Sequence, residues 1–275
     1  MRTELILTTY NDPRSLALCL LSVACQRVVP DGICVADDGS GPDTAAAIDA
    51  FTATHPGVTL RHLWHEDRGF RKCTILNEAI RSSEADFLIF LDGDVMIRPD
   101  FTARHLELAR RGRFSTGSLI RLDRDATASV TPQMVTDGTV FRRDWLRANR
   151  AIPGLSTWLK TAPLPKPILN LLELTSPVRR VLCGANWSAF RDDILKVNGF
   201  DETITHGGLD KELGERLTNA GIPGRHLRFT APLVHLDHPR GYADPAKKAA
   251  QKAYIRRVRR EGITWTPNGI VKAAA

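Results

Sequence analysis

The sequence predicts an α/β protein whose mostly parallel sheet is flanked by helices. Three observations carry the prediction. Short apolar runs alternate with segments of helical periodicity through the first third of the chain. The runs are continuously apolar, as strands covered on both faces must be. Each run ends in polar or acidic residues, at the edge where open α/β sheets hold their ligands.

Glu4-Leu5-Ile6-Leu7 is the first strand, and Thr8-Thr9-Tyr10-Asn11-Asp12-Pro13 is its loop. Asn11 or Asp12 can cap the helix that follows, with Pro13 in its first turn. Leu16, Leu20 and Val23, with Leu21 across the same face, give that helix an apolar stripe. Gly32-Ile33-Cys34-Val35-Ala36 is the second strand and runs into Asp37-Asp38-Gly39-Ser40. A helix over 43–54 and a strand over 58–63 complete a β-α-β-α-β order, which implies right-handed parallel crossovers. Asp38 could accept a hydrogen bond from the N3–H of a uracil ring, with a Thr or Tyr flanking the base.

Arg68, Arg71 and Lys72 gather at the entrance of a helix over Cys73 to Ile80. Cations there oppose the helix dipole unless an anion lies nearby, which makes them candidates for contacting a diphosphate. Phe87-Leu88-Ile89-Phe90-Leu91 is the next strand and ends in Asp92-Gly93-Asp94. Hard carboxylate ligands at this spacing suit Mg2+ or Mn2+ carrying substrate phosphates. Gly93 has no Cβ, so a bulky group can approach the backbone. Alone, the tripeptide would be an acidic turn; several polar strand ends converging on one crevice give it weight.

Arg98-Pro99-Asp100 is expected to start a helix running through Arg111, and Phe114 to Ile120 to form a strand crossing toward the second half. No element is predicted for 123–137. Between Trp145 and Val181 apolar residues mix with four prolines and flanking cations. The plainest reading is a helical pair packed on the sheet. A lid, an acceptor-binding insert or an amphipathic surface facing anionic lipid are the alternatives. Val181 to Arg191 resumes a strand pattern with a small-residue break. His206-Gly207-Gly208-Leu209-Asp210 then leads into a helix, where the glycine pair lets a loop press on a sugar ring and Asp210 falls in the first turn, facing the crevice. His235 and His238, three residues apart after an apolar strand, suit metal contact. A basic helix from Pro245 should pack through Tyr254, Ile255 and Val258; its cations are solvated or face an anionic membrane, with nucleic acid disfavoured. Trp265 to Gly269 ends the fold, and Lys272 to Ala275 should fray.

Composition narrows the class. With 43% hydrophobic and 25% charged residues in 275, the chain is globular and can bury a full core. The net charge of +7 suits an anionic substrate or surface. Cys19, Cys25, Cys34, Cys73 and Cys183 form no CxxC pair and read as buried free thiols, which favours a reducing compartment. No run approaches the roughly 18 apolar residues of a membrane span, and the N-terminus shows no signal-peptide core. The expected location is cytoplasmic, at most peripheral at the inner face of a membrane.

Taken in order, Thr8-Thr9-Tyr10-Asn11-Asp12, Asp37-Asp38-Gly39-Ser40, Gly69-Phe70-Arg71-Lys72 before Leu76-Asn77-Glu78-Ala79-Ile80, and Asp92-Gly93-Asp94 resemble a family 2 glycosyltransferase of GT-A fold. The resemblance implies a nucleotide-diphosphate sugar donor and a divalent cation, Mn2+ or Mg2+. It implies that Asp38 reads the uracil or ribose side, that Asp92 and Gly93 lie near the ribose and metal, and that Asp94 ligates the metal. Thr8, Thr9, Tyr10, Asn11, Arg71 and Lys72 complete the implied donor site. Asn198-Gly199-Phe200-Asp201 and Gly207-Gly208-Leu209-Asp210 resemble a galactosyltransferase-type C-terminal segment, which implies Asp210 as the base of an inverting transfer. Leu209 departs from the Glu usual there and leaves the acceptor open. By the same resemblance His238, ranked just ahead of His235, is the late metal ligand, and Asn186, Trp187, Gly207 and Gly208 are acceptor-side candidates. Arg240 is a further phosphate candidate.

The expected protein is thus one GT-A domain. Its nucleotide-sugar half is 1–120, a variable acceptor-side or lid segment 121–180, the acceptor and catalytic half 181–245, and a basic helix and tail 246–275. It would move a hexose or N-acetylhexosamine from a UDP-sugar to a saccharide, glycolipid or other hydroxyl acceptor, in bacterial surface polysaccharide or glycolipid assembly. A nucleotidyltransferase is the enzymatic alternative, though the first loop lacks a glycine-rich phosphate cradle. A nucleotide-sugar-binding protein without turnover is the other.

Overall fold

The computed structural model describes residues 1–205, 207–238 and 245–272, the side chains of 245–248 excepted. The strands are β1 (Thr3–Thr9), β2 (Gly32–Asp37), β3 (Leu60–Trp64), β4 (Phe87–Asp92), β5 (Val95–Met96), β6 (Phe114–Thr116), β7 (Ser118–Arg121), β8 (Asn186–Phe190), β9 (Gly224–His226) and β10 (Pro232–His235). The helices are α1 (Pro13–Ala24), α2 (Pro42–Thr54), α3 (Lys72–Ser82), α4 (Phe101–Glu107), α5 (Arg124–Ser129), α6 (Pro132–Thr136), α7 (Arg143–Ala148), α8 (Leu155–Thr161), α9 (Lys166–Thr175), α10 (Arg191–Lys196), α11 (Leu209–Asn219) and α12 (Pro245–Arg260). Seven strands form one mixed sheet in the order β3-β2-β1-β4-β8-β6-β9, and β5-β10-β7 form a second.

The donor-side order is as expected. β1 pairs in parallel with both β2 and β4, and β2 with β3. The register sets Thr8 beside Asp92 and Thr9 beside Asp37, so the polar ends of three strands meet at one edge. Asp12 caps α1 by accepting from the Ser15 N–H at 3.1 Å, and Pro13 fills its first turn. Leu16, Leu20 and Val23 are buried; Leu21 is only half-buried.

Beyond β4 the sequence reading needs correction in several places. The helix begun after Pro99 stops at Glu107 instead of reaching Arg111. Its continuation, Arg110-Arg111-Gly112, is drawn away: Arg111 lies over the Phe190 ring and pairs with Asp192 at 2.8 Å, while the Gly112 N–H donates to Asp193. The single strand expected over 114–120 is two, β6 and β7, in different sheets. The break is Gly117, whose N–H donates to the Asn186 carbonyl at 2.8 Å; a Cβ there would overlap the Asn186 side chain. Asn186 and Trp187, expected on the acceptor side, are buried, and Trp187 also lines a narrow cleft with Gly184, Leu209, Lys72 and Asp92. Trp187 stacks on Phe90 with ring centroids 4.0 Å apart, and the Asn186 amide donates to the carbonyls of Ser118 and Ala231.

The 145–181 segment divides: Leu146 and Ala151 are buried against the small sheet, with Trp145 and Ile152 packed on them, whereas the helical pair beyond does not bury its apolar side. α8 buries no residue, and in α9 the one buried residue is Glu173. Glu173 Oε1 accepts from the N–H groups of Phe229 and Thr230 and from Thr230 Oγ1, and its second oxygen faces Arg104 at 3.4 Å. Those polar groups at the end of β9 need an acceptor more than the sheet needs another leucine there.

The late chain folds back on the turn before α11. Asn198, at positive φ, binds the Thr266 carbonyl and both the N–H and carbonyl of Val271. Asp201 accepts from Tyr254 and Thr266 at 2.9 Å each. Val258 is buried and Tyr254 and Ile255 half-buried, the packing face expected of α12. Lys272, expected to fray, is held by Glu202 at 2.7 Å; Ala273 to Ala275 lie outside the described residues. All five cysteines are free, as expected; Cys19, Cys34 and Cys73 are buried, whereas Cys25 and Cys183 are only half-buried.

Candidate active site

An open cavity of about 650 Å3 lies at the carboxyl ends of β1, β2 and β4. Thr8, Thr9, Tyr10, Asn11, Asp38, Lys72, Asp92, Gly93 and Asp94 line it, with Gly69, Phe70, Asp12 and His238. The expected donor-side residues are therefore gathered in one place, with Arg71 the exception. Its backbone N–H donates to Asp38 Oδ2 at 3.1 Å, so it shapes the site through the main chain. Arg68 pairs with Glu66 on the surface and does not reach the cavity.

Asp38 is buried, and its other oxygen lies 2.8 Å from His65 Nε2. Burial pushes its pKa up from the usual carboxylate value, against the pull of His65 and the Arg71 N–H. Asp37 points away and is occupied by His62 and the Ser40 N–H. Neither histidine was identified from the sequence. Each lies 25 or more residues from its carboxylate, and the only available signal was its place on or just after a strand adjacent to β2.

Asp92 and Asp94 have different surroundings. Asp92 contacts Lys72 Nζ at 2.5 Å and Thr8 Oγ1 at 3.0 Å. Burial would raise the Asp92 carboxyl, but the Lys72 ammonium outweighs it and holds the pKa below the usual range. Burial and the charge of Asp92 together push Asp94 up. Gly93 fits tightly between them; a Cβ there would come within 2.9 Å of the Thr8 carbonyl oxygen.

The small sheet supplies the histidines. His235 is in register with Val95, and the Leu236 N–H donates to the Asp94 carbonyl at 2.9 Å. Asp94 Oδ2 consequently lies 3.7 Å from His235 Nε2 and 3.3 Å from His238 Nε2. Ligand atoms of the three residues fall within 4.8 Å of one another. Asp92, expected in the metal group, is outside this cluster because Lys72 takes it.

The trio fits a divalent cation on two grounds. Asp94 Oδ1 is buried without a hydrogen-bond partner among the described residues. His235 Nδ1 sits 2.6 Å from the Leu236 carbonyl, which can only accept, so the tautomer that binds a metal, with its lone pair at Nε2 toward Asp94, is the one this contact selects. In that tautomer Nε2 and the Asp94 carboxylate offer lone pairs to one cation.

Asp210 is in the first turn of α11, behind Gly208 at φ +89°. Its Oδ2 accepts from the Gly184 N–H at 3.1 Å, and burial pushes its pKa up. Gly184 and Leu209, next to Asp210, line a narrow cleft with Thr8, Lys72 and Asp92, which also line the main cavity. Gly207 is at positive φ with open space around it; His206 and Arg240 lie outside the described residues.

Residues 4–154 match the family described as Glycosyl transferase family 2. A Bacillus subtilis relative, "Uncharacterized glycosyltransferase YfnE", is 32% identical over 87% of this chain and 66% of its own length. The chain spans between 27% and 66% of the length of the curated relatives it matches. Among solved structures, Staphylococcus aureus TarS 1–349 in complex with UDP-GlcNAc superposes with a TM-score of 0.63 at 14% identity, covering 93% of this chain and 65% of that one. The mannosyltransferase PcManGT from Pyrobaculum calidifontis, in complex with GDP-Man and Mn2+, superposes at 0.59 and 17% identity over 95% of this chain and 72% of that one. These likenesses place the fold among GT-A structures.

Proposed function

The chain belongs to glycosyl transferase family 2, an enzyme family acting on nucleotide sugars, and from that premise we propose an inverting transfer of a hexose or N-acetylhexosamine from a UDP-sugar to a hydroxyl acceptor. One observation carries the reading: the Lys72–Asp92–Thr8 group and the Asp94–His235–His238 group line or border one cavity, with a desolvated carboxylate, Asp210, at the adjoining cleft. In this reading Asp38 accepts from the base and Thr8 to Asn11 flank the nucleoside. Lys72 balances the negative charge that grows on the departing diphosphate. Asp94, His235 and His238 hold the cation, and two nitrogen donors favour Mn2+ over Mg2+. When bound, the cation supplies further charge stabilisation for the diphosphate.

Asp210 acts as the base. The acceptor oxygen attacks the anomeric carbon opposite the diphosphate; the bond to the diphosphate breaks, its electron pair leaves with the phosphate oxygen, and the hydroxyl proton passes to Asp210. A raised pKa suits that work, and the Gly184 N–H aims the carboxylate. The division into a donor half (1–120), a variable segment (121–180), a catalytic half (181–245) and a C-terminal helix and tail (246–275) follows the same assignment, as does the galactosyltransferase-type reading of 198–210. The TarS complex supports a uridine donor and the PcManGT complex keeps GDP-mannose in the test panel. Bacterial polysaccharide or glycolipid assembly, and a peripheral position at the inner face of a membrane, are part of the proposal. No described helix is long and apolar enough to cross one.

The test is release of nucleoside diphosphate across a panel of UDP-sugars and GDP-mannose, with Mn2+, Mg2+ or EDTA. We expect release from one UDP-sugar, dependent on the metal, and about 100- to 1000-fold slower in Asp94→Ala. Release that ignores EDTA and the substitution would overturn the site assignment.

A further inference from the structure

A second concave surface lies away from the donor cavity. It is a groove of about 760 Å3 between the 174–182 segment, α11 and the start of β9. Arg110, Arg113, Arg180, Lys211 and Arg225 line it, and none of them has an ion pair or side-chain hydrogen bond among the described residues. The acid in its lining, Glu215, is already engaged by Arg179 and Arg259. The groove is therefore strongly positive and uncompensated. Burial and the nearby charges of Arg104 and Arg113 lower the pKa of Arg225 against the weaker pull of Glu173 and Glu107.

The rim of the groove is apolar. Leu174 and Val178 belong to its lining, and they continue the outward face of α9. Ile168, Leu171 and Leu174 recur at three-residue spacing and are 45%, 59% and 62% exposed. Single exposed leucines are ordinary, but a helix that buries its acid and presents three aliphatic residues beside five unpaired cations is not. A soluble polyanion would account for the cations and leave the apolar stripe without a role. A surface with phosphate outside and hydrocarbon beneath accounts for both.

We propose that the groove and the outward face of α9 dock on a bilayer carrying anionic phospholipid. The cations take headgroup phosphates, and Ile168, Leu171 and Leu174 enter the interfacial layer. The basic helix α12 is a poorer candidate, since three of its cations are engaged, Arg257 and Arg260 by Glu261 and Arg259 by Glu215, and its apolar residues Tyr254, Ile255 and Val258 face the fold. The segment 179–182 along the groove continues within two residues to Gly184, which holds Asp210. Docking there would present the site's acceptor side to molecules carried in that membrane. That consequence rests on the transferase reading; the docking itself does not.

The experiment is cosedimentation of the whole chain with vesicles of phosphatidylcholine, with or without about one third phosphatidylglycerol. Binding should require the anionic lipid and weaken with salt. Arg113→Ala/Arg180→Ala should lower the partition coefficient about 25-fold, at roughly fivefold per cation. Leu171→Ser/Leu174→Ser should also lower it, with circular dichroism and nucleoside diphosphate release unchanged in both variants. Indifference to anionic vesicles would overturn the proposal. So would loss in the arginine pair with none in the leucine pair together with full competition by a soluble sulfated dextran, which would mark a site for a polyanionic chain instead. Nucleoside diphosphate release is read separately, so failure of docking and failure of the transferase assignment are distinguishable.

Discussion

β4 and α9 are both apolar segments that carry acid, and they treat their two kinds of residue oppositely. β4 buries Phe87 to Leu91 and delivers Asp92 and Asp94 to the cavity. α9 turns Ile168, Leu171 and Leu174 outward and buries Glu173 beneath Arg104 and the Phe229–Thr230 N–H groups. Hydrophobicity decides the inside only where the neighbours can complete an apolar layer. β4 lies between β1 and β8 with Trp187 stacked on Phe90. α9 meets unpaired backbone donors, and there a carboxylate is the better filling.

The contrast can be broken or sharpened by substitution. The largest effect is expected from Asp210→Asn, a drop of about 100- to 10,000-fold in transfer rate with little change in donor affinity, read from steady-state kinetics. The pH profile gives the sign. Because folding raises the Asp210 pKa above its usual 3.8, the wild-type rate should climb with pH through that raised value. The stability favouring the protonated form is present at low pH and lost as pH rises through the same point, so the Asn variant should gain on wild type above it. Next, Phe90→Ala should cost about 3–5 kcal/mol in urea unfolding, since the cavity opens between Trp187 and Phe200. A smaller loss, about 1–3 kcal/mol, is expected for Gly117→Ala, where the new methyl meets Asn186. The smallest is Leu171→Ser, within about 0.5 kcal/mol of wild type in the same titration. A loss of several kcal/mol there would mean that α9 packs its leucines after all, and the distinction between the two segments would fail.

The same distinction explains what could be read in advance. Strand order, the α1 cap at Asp12 and the meeting of Thr8, Asp38, Lys72, Asp92 and Asp94 were legible, because local periodicity and strand ends decide them. The His65 and His62 contacts were not, since strand pairing creates them. The Gly117 break and the burial of Asn186 and Trp187 depend on one close fit between β6, β7 and β8 that no local pattern announces. The Asp92–Asp94 spacing suits a shared metal, but it does not announce that Lys72, twenty residues earlier, contacts Asp92 while His235 and His238 gather at Asp94. The outward α9 face depends on donors supplied some fifty residues later.

The return of the late chain onto Asn198 and Asp201 has a bearing on synthesis. The parallel core β1–β4 and its helices are complete once about ninety residues have emerged. The turn before α11 must wait for Tyr254, Thr266 and Val271 to supply its hydrogen bonds, and α11 waits for Val258 and Ile263 to receive the Asn219 amide. A ribosome-bound chain thus holds the strand ends that carry Asp38, Asp92 and Asp94 well before it can hold Asp210 steady.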